Sequence, residues 1–223
     1  MISAEWVTLF ILFAGVIAGI SLIRQLDQDL KYLTYFVIVA FTLELMANCY
    51  TGIYRKNNLF LYHLLIPFQY LTLAFVFREN ILSQNIKNNI LLSVVFVFLF
   101  ALFSGIFFQK LTEMPFLVIL ITRILLLIWV LIYLKDLLNT PEPEPLTSVP
   151  TFYVSIGVFV SIISLFQMGV MHYLISDNRE LIIYWLQIIL WFDAGFYLLC
   201  VFPLLYKAFL KYKGLITNDG ITF

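Results

Sequence analysis

The amino-acid sequence predicts an all-α fold, a polytopic membrane protein with a bundle of seven transmembrane helices. Hydrophobic residues make up 63% of the 223 residues and charged residues only 12%, about half the charged share of a soluble domain. Seven stretches are also long enough to cross the hydrocarbon core of a bilayer, which takes roughly 20 apolar residues of helix. Helix is expected there because each helix satisfies its own backbone hydrogen bonds.

The seven predicted helices follow one another with short, charged connections and form a single domain, 1–223. The first begins MISAEW, without a basic segment, and its apolar run is too long for a cleaved signal peptide, so we expect it to be a helix of the mature protein. The connection 135–150 is longer, and its alternating prolines favour an extended strap. The helices are expected at about 6–23, 32–50, 59–77, 90–108, 114–134, 151–174 and 181–206.

The distribution of Lys and Arg predicts the orientation. Cytoplasmic loops of membrane proteins carry an excess of these residues. With the N-terminus outside, the inner loops and the tail contain eight of them and the outer loops contain four. We therefore expect the N-terminus outside, the C-terminus inside and the proline-rich loop 135–150 in the cytoplasm.

Several polar side chains fall within the predicted helices. A charged side chain near the middle of a bilayer costs about 2.5–3.5 kcal/mol on the insertion scale. Such residues usually face the bundle interior, where they pair or mark a functional site. We expect a polar cavity open to the outside, whose candidate lining residues are Glu44, Asn48, His63, Gln69, Arg123, Gln167 and Asp193.

Two of these charged residues, Arg123 and Asp193, lie near the expected midplane at similar heights. An ion pair between them would fix the order of the helices without any further role. Glu44 is the competing partner for Arg123. The sequence leaves open which pair forms, and whether these residues form a site or an inert network. Tyr70 and Trp191 fall between the aromatic belts that mark the interfaces, so they require a packing or ligand explanation.

Small residues on two helices predict close contacts between helices. Gly15 and Gly19 are spaced for such a contact on the first helix, and the sixth carries Gly157, Ser161 and Ser164 on one face. Packing within the chain explains both patterns more simply than dimerisation.

Known catalytic and cofactor motifs are absent from the sequence. It contains no GxSxG, HExxH, CxxC, Walker or dinucleotide-binding pattern. The seventh helix has no lysine for a retinal Schiff base. We therefore expect no cofactor and no metal site, and an enzyme is less favoured than a binding protein. The equal numbers of acidic and basic residues, 13 each, argue against a nucleic-acid partner.

A pattern of segments covers nearly the whole chain. The order is LELMANCY, then NN followed by YH and IPFQYLTLAF, then a proline strap ending VPTFYVSIGVFVSIISLF. In this order and in length the chain resembles the small seven-helix integral membrane proteins common in Bacteroidota, for which no activity is established. Those proteins often have Glu at the position of Gln69 and Trp at that of Phe152. The resemblance implies a bacterial inner membrane.

Three functional classes remain. The first is a receptor-like or partner-binding module that holds a small-molecule or lipid ligand in the outer cavity and acts through a membrane protein partner. A purely structural partner subunit ranks close behind it. The second is a small-solute or proton-coupled transporter, for which ionisable groups at the midplane are typical, although broken helices and an internal repeat are lacking. The third is an intramembrane enzyme that acts on lipid, with Glu44 and His63 as acid and base.

Overall fold

The computed structural model of the protein describes residues 4–140, 145–174, 179–213, 216–217 and 220–221, with the backbone alone at 147, 168–174, 179–183 and the last four residues. Seven long helices account for most of this chain, and two short antiparallel strands follow them. The elements are α1 Ala4–Leu22, α2 Gln28–Tyr54, α3 Leu59–Asn80, α4 Gln84–Phe107, α5 Phe116–Leu138, a 3₁₀ turn Leu146–Ser148, α6 Pro150–Leu174, α7 Arg179–Tyr212, β1 Ile216–Thr217 and β2 Gly220–Ile221.

All seven helices are long and apolar enough to span a membrane, which confirms the predicted seven-helix fold. Their outer surfaces are apolar as well. On α4, for example, Leu92, Leu99 and Ile106 are largely exposed. Continuous apolar surface of this extent is unfavourable in water but suits contact with lipid. The chain is therefore a polytopic membrane protein.

Most helices extend further than their apolar stretches. α2 begins at Gln28, α4 begins at Gln84 and α7 continues to Tyr212, because polar residues prolong a helix beyond the hydrocarbon. α5 starts late, after Pro115, and its last turn occupies the beginning of the predicted strap 135–150. α6 begins at Pro150, a position that tolerates proline because the first helical N–H has no partner within the helix. Within the strap, residues 141–144 lie outside the described residues.

The helices form a ring in the order α1, α2, α3, α5, α6 and α7, and α4 packs outside it against α3 and α5. Hydrogen bonds link loops and helix ends at both faces of the bundle. At the N-terminal face, where α1 starts, Asn57 Nδ2 donates to the carbonyl of Thr112 at 2.8 Å. At the opposite, C-terminal face, Asp29 on α2 accepts from Asn80 at 3.3 Å and from Thr151 at 3.2 Å. Asp29 therefore ties α2 to the end of α3 and the start of α6.

Tyr70 lies in a filled core between α3, α4 and α5. Its side chain is 1% exposed, and its hydroxyl accepts from Trp129 Nε1 at 3.0 Å. Ser93 Oγ lies 2.6 Å from the same hydroxyl and donates to the carbonyl of Ile90, so Tyr70 donates to Ser93. Packing and hydrogen bonding therefore explain Tyr70. Trp191, by contrast, is 53% exposed on the outside of the bundle.

Two glycines of α1 allow close approach of neighbouring helices. A Cβ atom on Gly15 would lie 2.7 Å from Val201 on α7 and 2.9 Å from Val37 on α2. A Cβ on Gly19 would lie 2.6 Å from Thr34. These distances are well inside van der Waals contact, so Val201 and Val37 must shift if Gly15 is replaced, and Thr34 must shift if Gly19 is replaced. Both glycines are therefore packed against other helices of the chain.

We predict that Gly15→Ala destabilises the protein by about 1–3 kcal/mol, since overpacking forces such shifts. Gly52→Ala is the matched control, because no atom lies within 4 Å of the added Cβ and alanine favours helix over glycine by up to about 1 kcal/mol. Thermal unfolding of both variants in detergent, followed by tryptophan fluorescence, checks this. Equal midpoints for the two variants would contradict the close contact at Gly15.

A polar cavity as the candidate functional site

A cavity of about 390 Å³ enters the bundle from the N-terminal face and is partly open there. It extends from Glu5 in the first turn of α1 and Leu59 at the start of α3 down to Arg123 on α5 and Tyr197 on α7. Six helices line it and α4 does not, because α4 stands outside the ring. The cavity thus occupies one end of the bundle and reaches its middle.

The wall of the cavity is built from stripes of residues three or four positions apart, which share one face of a helix. On α3 the stripe combines apolar and polar side chains: Leu59, Tyr62, Leu65, Ile66 and Gln69. On α7 it runs through Leu186, Ile189, Leu190, Asp193, Phe196 and Tyr197. The stripe on α6 adds Ser161, Ser164 and Leu165.

Glu44 is the centre of a hydrogen-bond network that joins three helices. Its Oε2 accepts from Tyr62 Oη on α3 at 3.0 Å, and its Oε1 accepts from Tyr197 Oη on α7 at 3.5 Å. Gln69 Nε2 in turn donates to Tyr197 Oη at 2.6 Å. Both carboxylate oxygens therefore have a donor. Asn48, one turn further along α2, donates to the backbone carbonyl of Glu44 at 2.9 Å.

Arg123 and Asp193 form the deep end of the cavity. Asp193 Oδ1 accepts from Ser164 Oγ at 2.9 Å. The guanidinium carbon of Arg123 lies 4.8 Å from the ring centroid of Phe196, a distance at which a cation and an aromatic face attract. Among the described residues no carboxylate is within ion-pair distance of Arg123. The charges of Arg123 and Asp193 attract each other electrostatically, but they do not form the ion pair that their heights suggested.

Comparison with protein-family models, curated proteins and solved structures finds no match to this chain. Function is therefore inferred from the geometry of the cavity.

Five of the seven predicted site residues line the cavity: Glu44, Asn48, Gln69, Arg123 and Asp193. His63 lies elsewhere, with its Nε2 donating to the backbone carbonyl of Glu113 at 3.0 Å. It follows Tyr62 by one residue, so it is rotated about 100° around α3 from the cavity face. Gln167 is also outside the cavity, and its buried Oε1 has no hydrogen-bond partner in the described part of the chain.

The position of His63 bears on the enzyme hypothesis. Glu44 was expected to face His63 as acid and base, but its contacts are the hydroxyls of Tyr62 and Tyr197. The described residues also contain no group of three or more His, Cys, Asp and Glu arranged to hold a metal ion. Cys49 and Cys200 are free thiols. No acid–base dyad involving Glu44 and His63 is therefore formed.

Several cavity residues were missed by the sequence analysis, notably Glu5, Tyr62, Ser164 and Tyr197. Tyr62 resembles an interfacial aromatic in sequence, yet it stands seven residues before Gln69, which is two helical turns on one face. Tyr197 stands four residues after Asp193, about one helical turn, and therefore shares its face. Helical spacing from the predicted polar residues was the signal that could have identified both tyrosines.

We predict that Glu44 and Tyr62 are energetically coupled. In a double-mutant cycle with Glu44→Gln and Tyr62→Phe, the coupling should be roughly 0.5–1.7 kcal/mol, as for other hydrogen bonds between membrane helices. The measurement is the free energy of unfolding in an SDS titration. The control cycle combines Glu44→Gln with Tyr32→Phe. Tyr32 lies about 18 Å from Glu44 along α2 and stacks on Phe75 of α3 instead. Additive effects in both cycles would contradict the network.

Proposed function

We propose that the protein is a receptor-like, ligand-binding module of a bacterial inner membrane, with its cavity open to the outside. The ligand is a small molecule or a lipid, and a membrane protein partner responds to its binding. The observation that carries this proposal is the cavity itself, in which Glu44, Arg123 and Asp193 face a common space without pairing directly with one another.

An inert role for these residues would favour a different arrangement. Charges that serve only to fix helix order are least costly when paired and enclosed in a filled core. Here the core is filled in the other half of the bundle, around Tyr70, Leu73 and Leu204, while the charged residues surround open volume. A roomy polar cavity of this kind holds water or a ligand, and a mixture of apolar walls with few polar groups is typical of ligand sites.

The Glu44 network offers a route from the ligand to the rest of the bundle. Glu44 connects α2 to α3 and α7 through Tyr62 and Tyr197. A ligand that competes for either hydroxyl changes the balance of contacts among these three helices. A receptor requires such a difference in contacts between its free and bound states.

We predict that a ligand co-purifies with the protein. Native mass spectrometry of the detergent-purified chain should reveal an added mass, and Glu44→Gln or Asp193→Asn should reduce its occupancy by tenfold or more. Asp27→Asn is the control, since Asp27 pairs with Lys207 at 3.6 Å on the C-terminal face and should retain the ligand. Wild-type protein without any added mass, even after incubation with lipid extract, would contradict the proposal.

The orientation is a separate part of the proposal. The excess of Lys and Arg at the C-terminal face supports a cytoplasmic location for that face, and the resemblance to Bacteroidota proteins supports the inner membrane. We predict that, in a Cys49→Ala background, a membrane-impermeant maleimide labels Lys56→Cys in spheroplasts. Ser83→Cys, on the opposite face, should react only after lysis. Cys200 is buried and serves as an unreactive internal control. The reverse labelling pattern would invert the orientation.

A further inference from the structure

We infer that the ligand is a zwitterion whose anionic group binds Arg123 and whose ammonium group binds Asp193. This inference rests on the proposed function and specifies the chemical class of the ligand. It depends on which polar atoms in the cavity already have partners and which do not.

Arg123 is the cavity group with the most unused hydrogen-bonding capacity. A guanidinium has five N–H donors and no acceptor, and Arg123 donates to none of the described residues. Its guanidinium carbon lies 4.8 Å from the ring centroid of Phe196, a contact that involves no hydrogen-bond acceptor. A planar guanidinium binds carboxylate or phosphate with two parallel hydrogen bonds. The group that fits Arg123 is therefore an oxyanion.

The carboxylates differ in their availability. Glu44 has a tyrosine donor at each oxygen, so it is already hydrogen bonded within the protein. Asp193 has a donor only at Oδ1, from Ser164, and within the described part of the chain its Oδ2 accepts from no group. An ammonium group supplies three donors and a positive charge. It fits the free oxygen of Asp193.

Placing both charges in one ligand accounts for the cavity better than either charge alone. A simple anion on Arg123 would lie beside Asp193 and Glu44, and a simple cation on Asp193 would lie beside Arg123. Like charges at close range in a low dielectric repel strongly. A zwitterion satisfies both residues. The apolar walls from Leu65, Ile119 and Leu190 suit an aliphatic substituent next to the two charged groups.

Two sources supply this chemistry: a free α-amino acid and the headgroup of an aminophospholipid. Both carry an ammonium a few atoms from an oxyanion. The experiment therefore has two arms. One uses L-leucine as a free probe, and the other uses dioleoylphosphatidylethanolamine in nanodiscs, with dioleoylphosphatidylglycerol as the lipid that lacks the ammonium.

In the first arm, binding of L-leucine to the detergent-purified 223-residue chain is compared with that of 4-methylpentanoate, which lacks the amine, and isoamylamine, which lacks the carboxylate. In the second arm, bound lipid is counted by native mass spectrometry. We expect the zwitterion of at least one arm to bind tenfold or more tightly than its matched analogues. Arg123→Gln and Asp193→Asn should each remove that preference.

Controls separate binding from folding. Arg123→Lys keeps the charge and should retain part of the preference, and Arg24→Gln, outside the cavity, should retain all of it. Each variant is included only if its thermal unfolding remains cooperative. If isoamylamine or 4-methylpentanoate binds as well as L-leucine, and phosphatidylglycerol as well as phosphatidylethanolamine, the zwitterion is wrong while ligand binding stands. If no probe binds and no ligand co-purifies, both proposals fail.

Discussion

The cavity depends on one partly buried carboxylate, Glu44, which accepts hydrogen bonds from tyrosines on two other helices. The hydrogen bonds from Tyr62 and Tyr197 give each carboxylate oxygen of Glu44 a donor within the protein. Because Gln69 donates to Tyr197, the network extends back to α3 and fixes that tyrosine as well. The position of α7 relative to α2 and α3 is thereby set at the level of the cavity.

A second carboxylate, Asp29, also joins three helices, at the C-terminal face, but no comparable cavity surrounds it among the described residues. Asp29 accepts from Asn80 on α3 and Thr151 on α6, and the helix ends beside it converge on a filled core. Between the two faces, Tyr70 is enclosed by α3, α4 and α5 with its hydroxyl satisfied. The bundle is thus closed at one end and open at the other. A ligand that reaches Arg123 from the N-terminal face meets packed side chains beyond it, an arrangement that favours binding over passage through the bundle.

The sequence predicts the seven helices well because the hydrocarbon leaves the backbone few alternatives. It predicts their ends less well, since hydropathy detects only the apolar part of α2, α4 and α7. For the cavity, the depth of a residue in the membrane can be estimated from its position along the helix. Such depths place Glu44, Arg123 and Asp193 in one candidate site. Rotation about the helix axis is readable only through spacing from another polar residue. Depth alone favours His63, whereas the two-turn spacing from Gln69 indicates Tyr62. Whether Arg123 meets Asp193 depends on lateral spacing between α5 and α7, which the sequence of neither helix contains.

The separation of Arg123 from Asp193 has a consequence for how a ligand would act. The two side chains carry opposite charges and belong to different helices, Arg123 to α5 and Asp193 to α7. Instead of pairing directly, Arg123 contacts the ring of Phe196, and Asp193 accepts a hydrogen bond from Ser164. A zwitterion between them would satisfy both charges in these positions, and direct pairing of the two side chains would be the competing arrangement. A ligand that favours one of two such arrangements shifts their populations by its difference in affinity. If a zwitterion binds as proposed, its binding would therefore be coupled to the arrangement of Arg123 and Asp193.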